Sequence, residues 1–140
     1  MGGVVDRSGN ITSWAEFNLW NDPEAAAVVL SSGAAVTLVG RDVCEQVRIG
    51  PDDMAECDGA LQSVLRGWFS IRPPGESMNA CDPLPVAVTI DPDLVGTEEV
   101  ALRVDTTNGD KQDRTLRGRS DPSVQVALGV RVAGYCVIIC

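Results

Sequence analysis

The chain is organised around residues 15–26, which read AEFNLWNDPEAA. Asp22 can accept backbone hydrogen bonds at a helix start, and Pro23 suits the first helical position. These signals predict a helix over 23–32 that Gly33 ends. The apolar run that follows, residues 34–39, predicts a strand buried on both faces, as in a parallel sheet covered by helices. A helix followed directly by such a strand is half of a βαβ unit, so the stretch indicates an α/β fold.

The polar side chains just before this helix predict a binding site. If the segment is extended, alternation places Glu16 and Asn18 on one face and turns Phe17 into the core. A carboxylate only accepts hydrogen bonds, whereas a carboxamide both donates and accepts, so the pair suits vicinal hydroxyls. The sequence therefore predicts a sugar ligand here. The alternative is that both are surface polar residues before a helix.

The middle of the chain carries two further helix signals. A helix beginning near residues 51–53 would bury one face, because four apolar residues have helical spacing. These are Leu61, Val64, Leu65 and Trp68. Residues 72–77, with consecutive prolines and a glycine, predict a loop. It leads to Asp82, which is expected to cap a short helix over 84–89.

From residue 98 onward the apolar period changes to two. Alternation over 98–104 and 124–130 predicts two half-exposed strands. Residues 107–110 carry a hairpin-turn signal, and 114–119 are expected to form a short edge strand or loop. The apolar tail, 137–140, is expected to bury against a neighbour or to mark where the homologous part ends.

Composition excludes several functions. With 140 residues and 44% hydrophobic content, the chain is expected to fold as one domain, residues 1–140. A net charge of −9 disfavours nucleic acid and anionic membranes, which require a basic surface. No window has the length of a transmembrane span, and no signal-peptide pattern opens the chain, so a cytoplasmic location is predicted.

Histidine is absent, and the five cysteines form no CxxC pair. An odd cysteine count argues against a disulfide framework, and zinc is not expected without such ligands. Most of the cysteines are predicted to be small buried hydrophobic residues. Any catalysis must therefore use carboxylates, a thiol or a metal. The cysteines are Cys44, Cys57, Cys81, Cys136 and Cys140.

Two blocks of the sequence resemble the inosine/uridine-preferring nucleoside hydrolases. The first comprises residues 1–3 (MGG), 9–10 (GN), 15–18 (AEFN), 22–26 (DPEAA) and 39–43 (VGRDV). The second is 81–87 (CDPLPVA), close to the family's His-Asp-Pro-Leu-Ala-Val-Ala, followed by 90–92 (IDP). The blocks occur in the family's order, and the resemblance extends to about Val130. It covers only the C-terminal half of the family fold, so a partial, mixed and mostly parallel sheet with flanking helices is expected.

The resemblance implies a reaction and a set of site residues. The family hydrolyses the N-glycosidic bond of purine and pyrimidine ribonucleosides with a bound calcium ion. Met1, Asn10, Glu16 and Asn18 match its substrate contacts, and Asp82 matches a calcium ligand that also reaches the ribose. Asn10 alternatively serves as a turn residue and Asp82 as a helix cap. Met1 matches an internal methionine of the family, so a truncated or rearranged gene, or an engineered fragment, is expected.

Two departures from the family bear on activity. Cys81 stands where many members have a histidine that protonates the leaving base, and a thiol is a poorer acid near neutral pH. The family's N-terminal Asp-x-Asp-x-x-x-Asp-Asp motif, which holds calcium and activates water, has no match. A homo-oligomer or a complementary N-terminal half is therefore the expected partner. The alternative function is an inactive remnant that self-associates or weakly binds ribose or nucleosides.

Overall fold

The computed structural model describes residues 1–53, 57, 59–107, 109, 112–119 and 121–131. The chain forms five α-helices within these residues: α1 (Phe17–Asn21), α2 (Pro23–Ser31), α3 (Arg41–Cys44), α4 (Gly59–Ser70) and α5 (Pro83–Ile90). The strands are β1 (Thr37–Leu38), β2 (Arg48–Ile49), β3 (Met78–Asn79), β4 (Val95–Val104), β5 (Thr115–Arg117) and β6 (Ser123–Val130). A 3₁₀ helix, Pro92–Leu94, precedes β4.

The main sheet has four strands in the order β1-β6-β4-β5. β1 runs parallel to β6, with Thr37 opposite Gln125, whereas β6 with β4 and β4 with β5 are antiparallel. β2 and β3 form a separate antiparallel pair. The predicted α/β class with a partial, mixed sheet and flanking helices is confirmed, although among the described strands one pairing is parallel and three are antiparallel, not mostly parallel.

The hydrophobic core lies on both faces of the main sheet. Neighbouring residues of a strand point to opposite faces, and Val126 and Ala127 of β6 belong to different core clusters. Val126 packs in a cluster with Leu30 of α2, while Ala127 packs in one that contains Leu84 of α5. The sheet is thus covered by helices on each side. The predicted period-two burial is confirmed for β4 and for residues 124–126 of β6, but Ala127, predicted to be exposed, is fully buried because both faces of β6 are covered.

Helix α2 forms as the sequence predicts. Asp22 accepts a hydrogen bond from the Ala25 N–H at 3.0 Å, Pro23 occupies the first turn, and the helix ends at Ser31. Gly33 follows with a φ of 75°, a left-handed conformation that glycine adopts without strain.

Asp22→Ala is expected to lower the free energy of unfolding by about 1 kcal/mol, because the first turn of α2 loses its side-chain acceptor. Urea unfolding monitored by circular dichroism measures the change. Asn21→Ala, at an exposed neighbouring position, is the control and should shift stability by no more than about 0.5 kcal/mol. Equal stability of the two variants would contradict the capping role.

Two predicted elements differ from the structure. The strand predicted over 34–39 is reduced to Thr37–Leu38, with Thr37 exposed, because β1 lies at the end of the sheet. Helix α4 buries Leu65 and Phe69, whereas Val64 and Trp68 are 67% and 37% exposed. The predicted apolar face was therefore about one position out of register.

The smaller predictions have mixed outcomes. The edge strand near 114–119 is confirmed as β5, while the hairpin signal at 107–110 and the tail at 137–140 fall wholly or partly outside the described residues.

Cys44 and Cys57 are buried, as predicted, but Cys57 is disulfide-bonded, so the expectation of no disulfide is wrong there. Among the described residues, no helix has the length and apolar character needed to cross a membrane.

Candidate functional site

The N-terminal segment, residues 1–6, lies beside the end of β1. The Gly2 N–H donates to the carbonyl of Val39 at 3.3 Å, and the Arg41 N–H donates to the carbonyl of Gly3 at 2.9 Å. Gly3 has a φ of 76°, and a Cβ there would lie 3.1 Å from a Leu19 methyl carbon and 3.2 Å from the Thr115 hydroxyl oxygen. The backbone therefore passes close to helix α1, where the absence of a glycine side chain leaves room for the contact.

Glu16 holds this segment against the start of α1. Its side chain is almost fully buried, at 3% residue exposure. One carboxylate oxygen, Oε2, accepts from the Gly3 N–H at 2.8 Å, the Asn18 N–H at 3.0 Å and the Leu19 N–H at 3.4 Å. Glu16 is the N-cap residue of α1. The carboxylate thus joins the N-terminal segment to the helix.

The predicted extended alternation over residues 16–18 is wrong. Helix α1 begins at Phe17, immediately after its cap, so Phe17 and Asn18 are both exposed and Glu16 points inward. A helix start offers free N–H groups, and a buried carboxylate that accepts from several of them is stabilised there. The capping strength of Glu16 therefore overrides the alternation.

Asn10, Asn18 and Met1 lie around the same helix start. The Asn10 carboxamide oxygen accepts from the Phe17 N–H at 2.9 Å. The Asn18 carboxamide nitrogen lies 3.0 Å from the sulfur of Met1, a hydrogen-bond contact between side chains. The structure thus brings together the four residues predicted to contact a ribose, with Glu16 in the interior and Asn18 at the surface.

Asp82 precedes α5 but does not cap it with its side chain. It occupies the N-cap position in a helical backbone conformation, and its carboxylate makes no capping hydrogen bond. The predicted side-chain cap is therefore wrong, and the exposed carboxylate lies at the edge of an apolar cavity of about 380 Å³. Leu61, Leu65 and Val86 are among the residues that line this cavity between α4 and α5.

The thiol of Cys81 is influenced by the charges of both Asp82 and Glu16. Burial raises the pKa of the Cys81 thiol above its ordinary value, a hydrogen bond with the Cys44 thiol opposes that shift, and the charges of Asp82 and Glu16 raise the pKa further. Both carboxylates thus act on the same thiol. Within the described part of the chain, no hydrogen bond joins Asp82 itself to Met1, Asn10, Glu16 or Asn18.

The Cys44 thiol, which contacts the Cys81 carbonyl, makes the stability of the folded protein depend on pH. Burial, helped by the charge of Cys81, raises its pKa from 9.0 to about 12. The unfolded chain ionises this thiol above pH 9.0, whereas the folded chain keeps the proton until about pH 12. The unfolded state therefore binds fewer protons in this window, and the stabilising contribution, complete below pH 9.0, is lost as the pH rises.

We expect the free energy of unfolding to fall more steeply between pH 9 and pH 11 in the wild-type protein than in Cys44→Ala. Urea unfolding at a series of pH values measures both slopes. Equal slopes would show that this thiol does not carry the alkaline loss of stability.

Asp42 is a structural residue of the site that was not among the predicted site residues. It is buried at 5% exposure, and its two carboxylate oxygens accept from the Val5 N–H at 2.7 Å and the Asp6 N–H at 2.8 Å. It therefore holds the far end of the segment that Glu16 holds at Gly3. The available signal was an acidic residue in the first turn of a helix, directly after a buried run.

The residues that the structure describes do not fit a calcium ion. Calcium takes six to eight oxygen ligands, and Asp82 is the carboxylate at the position where the resemblance implies a ligand. In the described ranges, no group of three or more Asp, Glu, His or Cys side chains could hold a metal ion. No chemical step is therefore assigned to calcium in this chain.

Comparisons with known proteins agree with this architecture. The purine-preferring ribonucleoside hydrolase from Gardnerella vaginalis superposes with a TM-score of 0.83 at 29% identity, covering 99% of this chain and 49% of that one. An inosine-uridine preferring nucleoside hydrolase from Bacillus anthracis gives a TM-score of 0.82 at 24% identity, covering 99% and 48%, and shows likeness of fold alone. The sheet and its flanking helices thus define a protein of the nucleoside hydrolase fold.

Sequence comparisons identify the family. The family model described as inosine-uridine preferring nucleoside hydrolase matches residues 1–136. Uridine nucleosidase 1 of Arabidopsis thaliana is 31% identical over 116 residues, covering 76% of this chain and 34% of that protein. The pyrimidine-specific ribonucleoside hydrolase RihB of Escherichia coli (strain K12 / DH10B) is 32% identical over 127 residues, covering 83% and 40%.

The chain belongs to the inosine-uridine preferring nucleoside hydrolase family. It spans between about a third and a half of the length of the relatives named above, from 34% to 49%.

Proposed function

We propose that the chain forms the ribose-binding half of a ribonucleoside N-ribohydrolase, with a second polypeptide segment completing the active site. The observation that carries the proposal is the position of Glu16. This carboxylate is buried at the point where Met1, Asn10 and Asn18 meet, and its charge acts on the same thiol as that of Asp82.

The side chains suit a pentose and the charge that develops on it. Asn10 and Asn18 supply carboxamides, which can donate to and accept from ribose hydroxyls. When the bond between C1′ of the ribose and the base nitrogen breaks, positive charge builds up on the sugar ring. The negative charges of Glu16 and Asp82 would stabilise this transition state.

Cys81 is proposed as the proton donor to the base. The bonding electron pair leaves with the base nitrogen, which then takes a proton from the thiol, while the oxygen of a water molecule bonds to C1′. The raised pKa of Cys81 keeps the thiol protonated at neutral pH, so a proton is available although the acid is weak. The base that activates water is assigned to the second segment.

The second polypeptide segment is proposed to dock at the edge of the main sheet formed by β1. β1 is the last strand of the sheet, and cavities of about 570 and 280 Å³ are lined by residues of β1. Val29 of α2 and Ile90 of α5 are 53% and 69% exposed. An edge strand flanked by exposed apolar side chains is suited to pairing with another chain. The proposed partner is a complementary N-terminal half or a second copy.

A second candidate function is a non-catalytic protein that self-associates and binds ribose or nucleosides weakly. The absence of a metal-binding group among the described residues favours it. It uses the same side chains but performs no hydrolysis. The two candidates differ in turnover, and the cytoplasmic location predicted from the sequence applies to both.

Release of ribose from inosine and uridine tests the proposal. The purified chain is assayed in calcium-containing buffer, alone and mixed with the separately purified N-terminal half of a full-length relative. The enzyme proposal expects no release alone and release in the mixture, and Cys81→Ala in the mixture should be slower by about 10²–10⁴-fold. A mixture shown to associate by size-exclusion chromatography but without turnover would favour the non-catalytic candidate.

A further inference from the structure

We propose that Cys44 and Cys81 form a dithiol site that a small-molecule disulfide, of the glutathione disulfide class, converts into an intramolecular disulfide. The Cys44 sulfur lies 3.7 Å from the carbonyl oxygen of Cys81, and both side chains pack in the same core cluster. The consequence for catalysis rests on the function proposed above, whereas the chemistry of the two thiols does not.

The position of the Cys44 thiol against Cys81 carries the inference. The Cys44 sulfur contacts the Cys81 carbonyl oxygen, and each of the two thiols shifts the pKa of the other. Both cysteines are free, in contrast to Cys57. A disulfide requires the two sulfurs to approach to about 2 Å. Cys44 ends helix α3 and Cys81 lies in the turn before α5, so a local change in this turn can bring them together.

The two cysteines differ in exposure, and this sets the order of reaction. Cys81 is half-buried, whereas Cys44 is fully buried at 0% exposure. The Cys81 sulfur, as thiolate, attacks one sulfur of the small disulfide, forms a mixed disulfide and releases one small thiol. The Cys44 sulfur then attacks the Cys81 sulfur and releases the second small thiol. The protein loses two hydrogens and the small disulfide is reduced to two thiols, so atoms and electrons balance.

The disulfide would act directly on the proposed active site. It consumes the thiol proposed to protonate the leaving base. It also cross-links the start of α5, where Asp82 lies, to α3, which holds the N-terminal segment through Asp42. The oxidised protein is therefore expected to be inactive and to recover its activity on reduction.

The test uses the full chain incubated with glutathione disulfide, alkylated and digested with trypsin without reduction. Arg48 lies between Cys44 and Cys57 in the sequence, so the linked peptides are distinguishable by mass. Burial raises the pKa of both thiols and slows exchange, so the incubation is followed over hours. The expected product is a peptide pair that joins Cys44 to Cys81, with little glutathione adduct.

Variants decide between this site and unspecific oxidation. In Cys44→Ala the resolving thiol is absent, so Cys81 should accumulate as the glutathione mixed disulfide. In Cys81→Ala neither product should form, because the remaining thiol of Cys44 is buried. Circular dichroism checks that each variant is folded. Glutathione adduct on Cys81 to the same extent in wild type and Cys44→Ala, without the linked pair, would overturn the proposal.

Mass mapping and turnover separate this inference from the proposed function. The linked pair, together with unchanged ribose release by the complemented protein, would establish the dithiol site and remove Cys81 from the proposed reaction. Ribose release without any linked pair would leave the enzyme proposal standing and overturn the dithiol site.

Discussion

Replacing Glu16 by alanine is expected to lower the free energy of unfolding by about 2–4 kcal/mol and to abolish nucleoside binding. The buried carboxylate accepts hydrogen bonds from the N–H groups of Gly3, Asn18 and Leu19. Alanine leaves these donors without a side-chain acceptor and separates the N-terminal segment from α1. Urea unfolding and calorimetric titration with inosine measure the two effects.

Glu16→Gln separates the structural effect from the electrostatic one. Glutamine keeps a side-chain oxygen that can accept from the same N–H groups but lacks the charge. This variant is expected to lose only about 1 kcal/mol of stability, yet to bind or turn over nucleoside much more weakly. Glu24→Ala, an exposed residue in the first turn of α2, is the control. Wild-type stability in Glu16→Ala would contradict the structural role.

Replacing Asp42 by alanine is expected to lower the free energy of unfolding by about 2–4 kcal/mol. Its carboxylate oxygens accept from the N–H groups of Val5 and Asp6, and both hydrogen bonds are charge-assisted. Without them the backbone of Val5 and Asp6 loses its hydrogen bonds to α3, and the side-chain ion pair of Asp6 with Arg117 at 2.7 Å remains at this end. Hydrogen exchange at the Val5 and Asp6 amides should become much faster, which mass spectrometry or NMR can follow.

Asp93→Ala provides the control for Asp42, because Asp93 is an exposed carboxylate in the 3₁₀ helix before β4. It should leave stability within about 0.5 kcal/mol of wild type and the Val5 and Asp6 exchange rates unchanged. Equal exchange in Asp42→Ala and Asp93→Ala would show that Asp42 does not hold the N-terminal segment.

The sequence predicts elements well where the determining signals are local. Asp22 and Pro23 start α2 because capping and the fixed φ of proline act within one turn. The strands around Val100 and Val124 follow from alternation, since a half-buried strand needs only one apolar face. Register and length depend on packing partners, so β1 is shorter than predicted and the buried face of α4 is displaced.

In the candidate site, too, the features that local sequence signals determine were predicted better than those that depend on residues distant in the chain. The resemblance implied that Met1, Asn10, Glu16 and Asn18 serve one substrate, and the structure places them around the start of α1, but alternation gave the wrong direction for Phe17. The role of Asp42 could not be derived, because its acceptors face amides some 36 residues away in the chain. The contact of Cys44 with Cys81, 37 residues apart, is likewise a product of tertiary packing.

The central claim is that Asn10, Glu16, Asn18 and Asp82 serve a single pentose-binding pocket. Calorimetric titration of inosine into the wild-type chain and into Asn18→Ala, Asp82→Ala and Asn21→Ala tests it most directly. Asn21 is an exposed asparagine on the same helix as Asn18 and is the matched control. We predict that Asn18→Ala and Asp82→Ala each weaken binding about tenfold or more, equivalent to about 1.4 kcal/mol, while Asn21→Ala does not change it. Weaker binding in Asn18→Ala with unchanged binding in Asp82→Ala would contradict the claim.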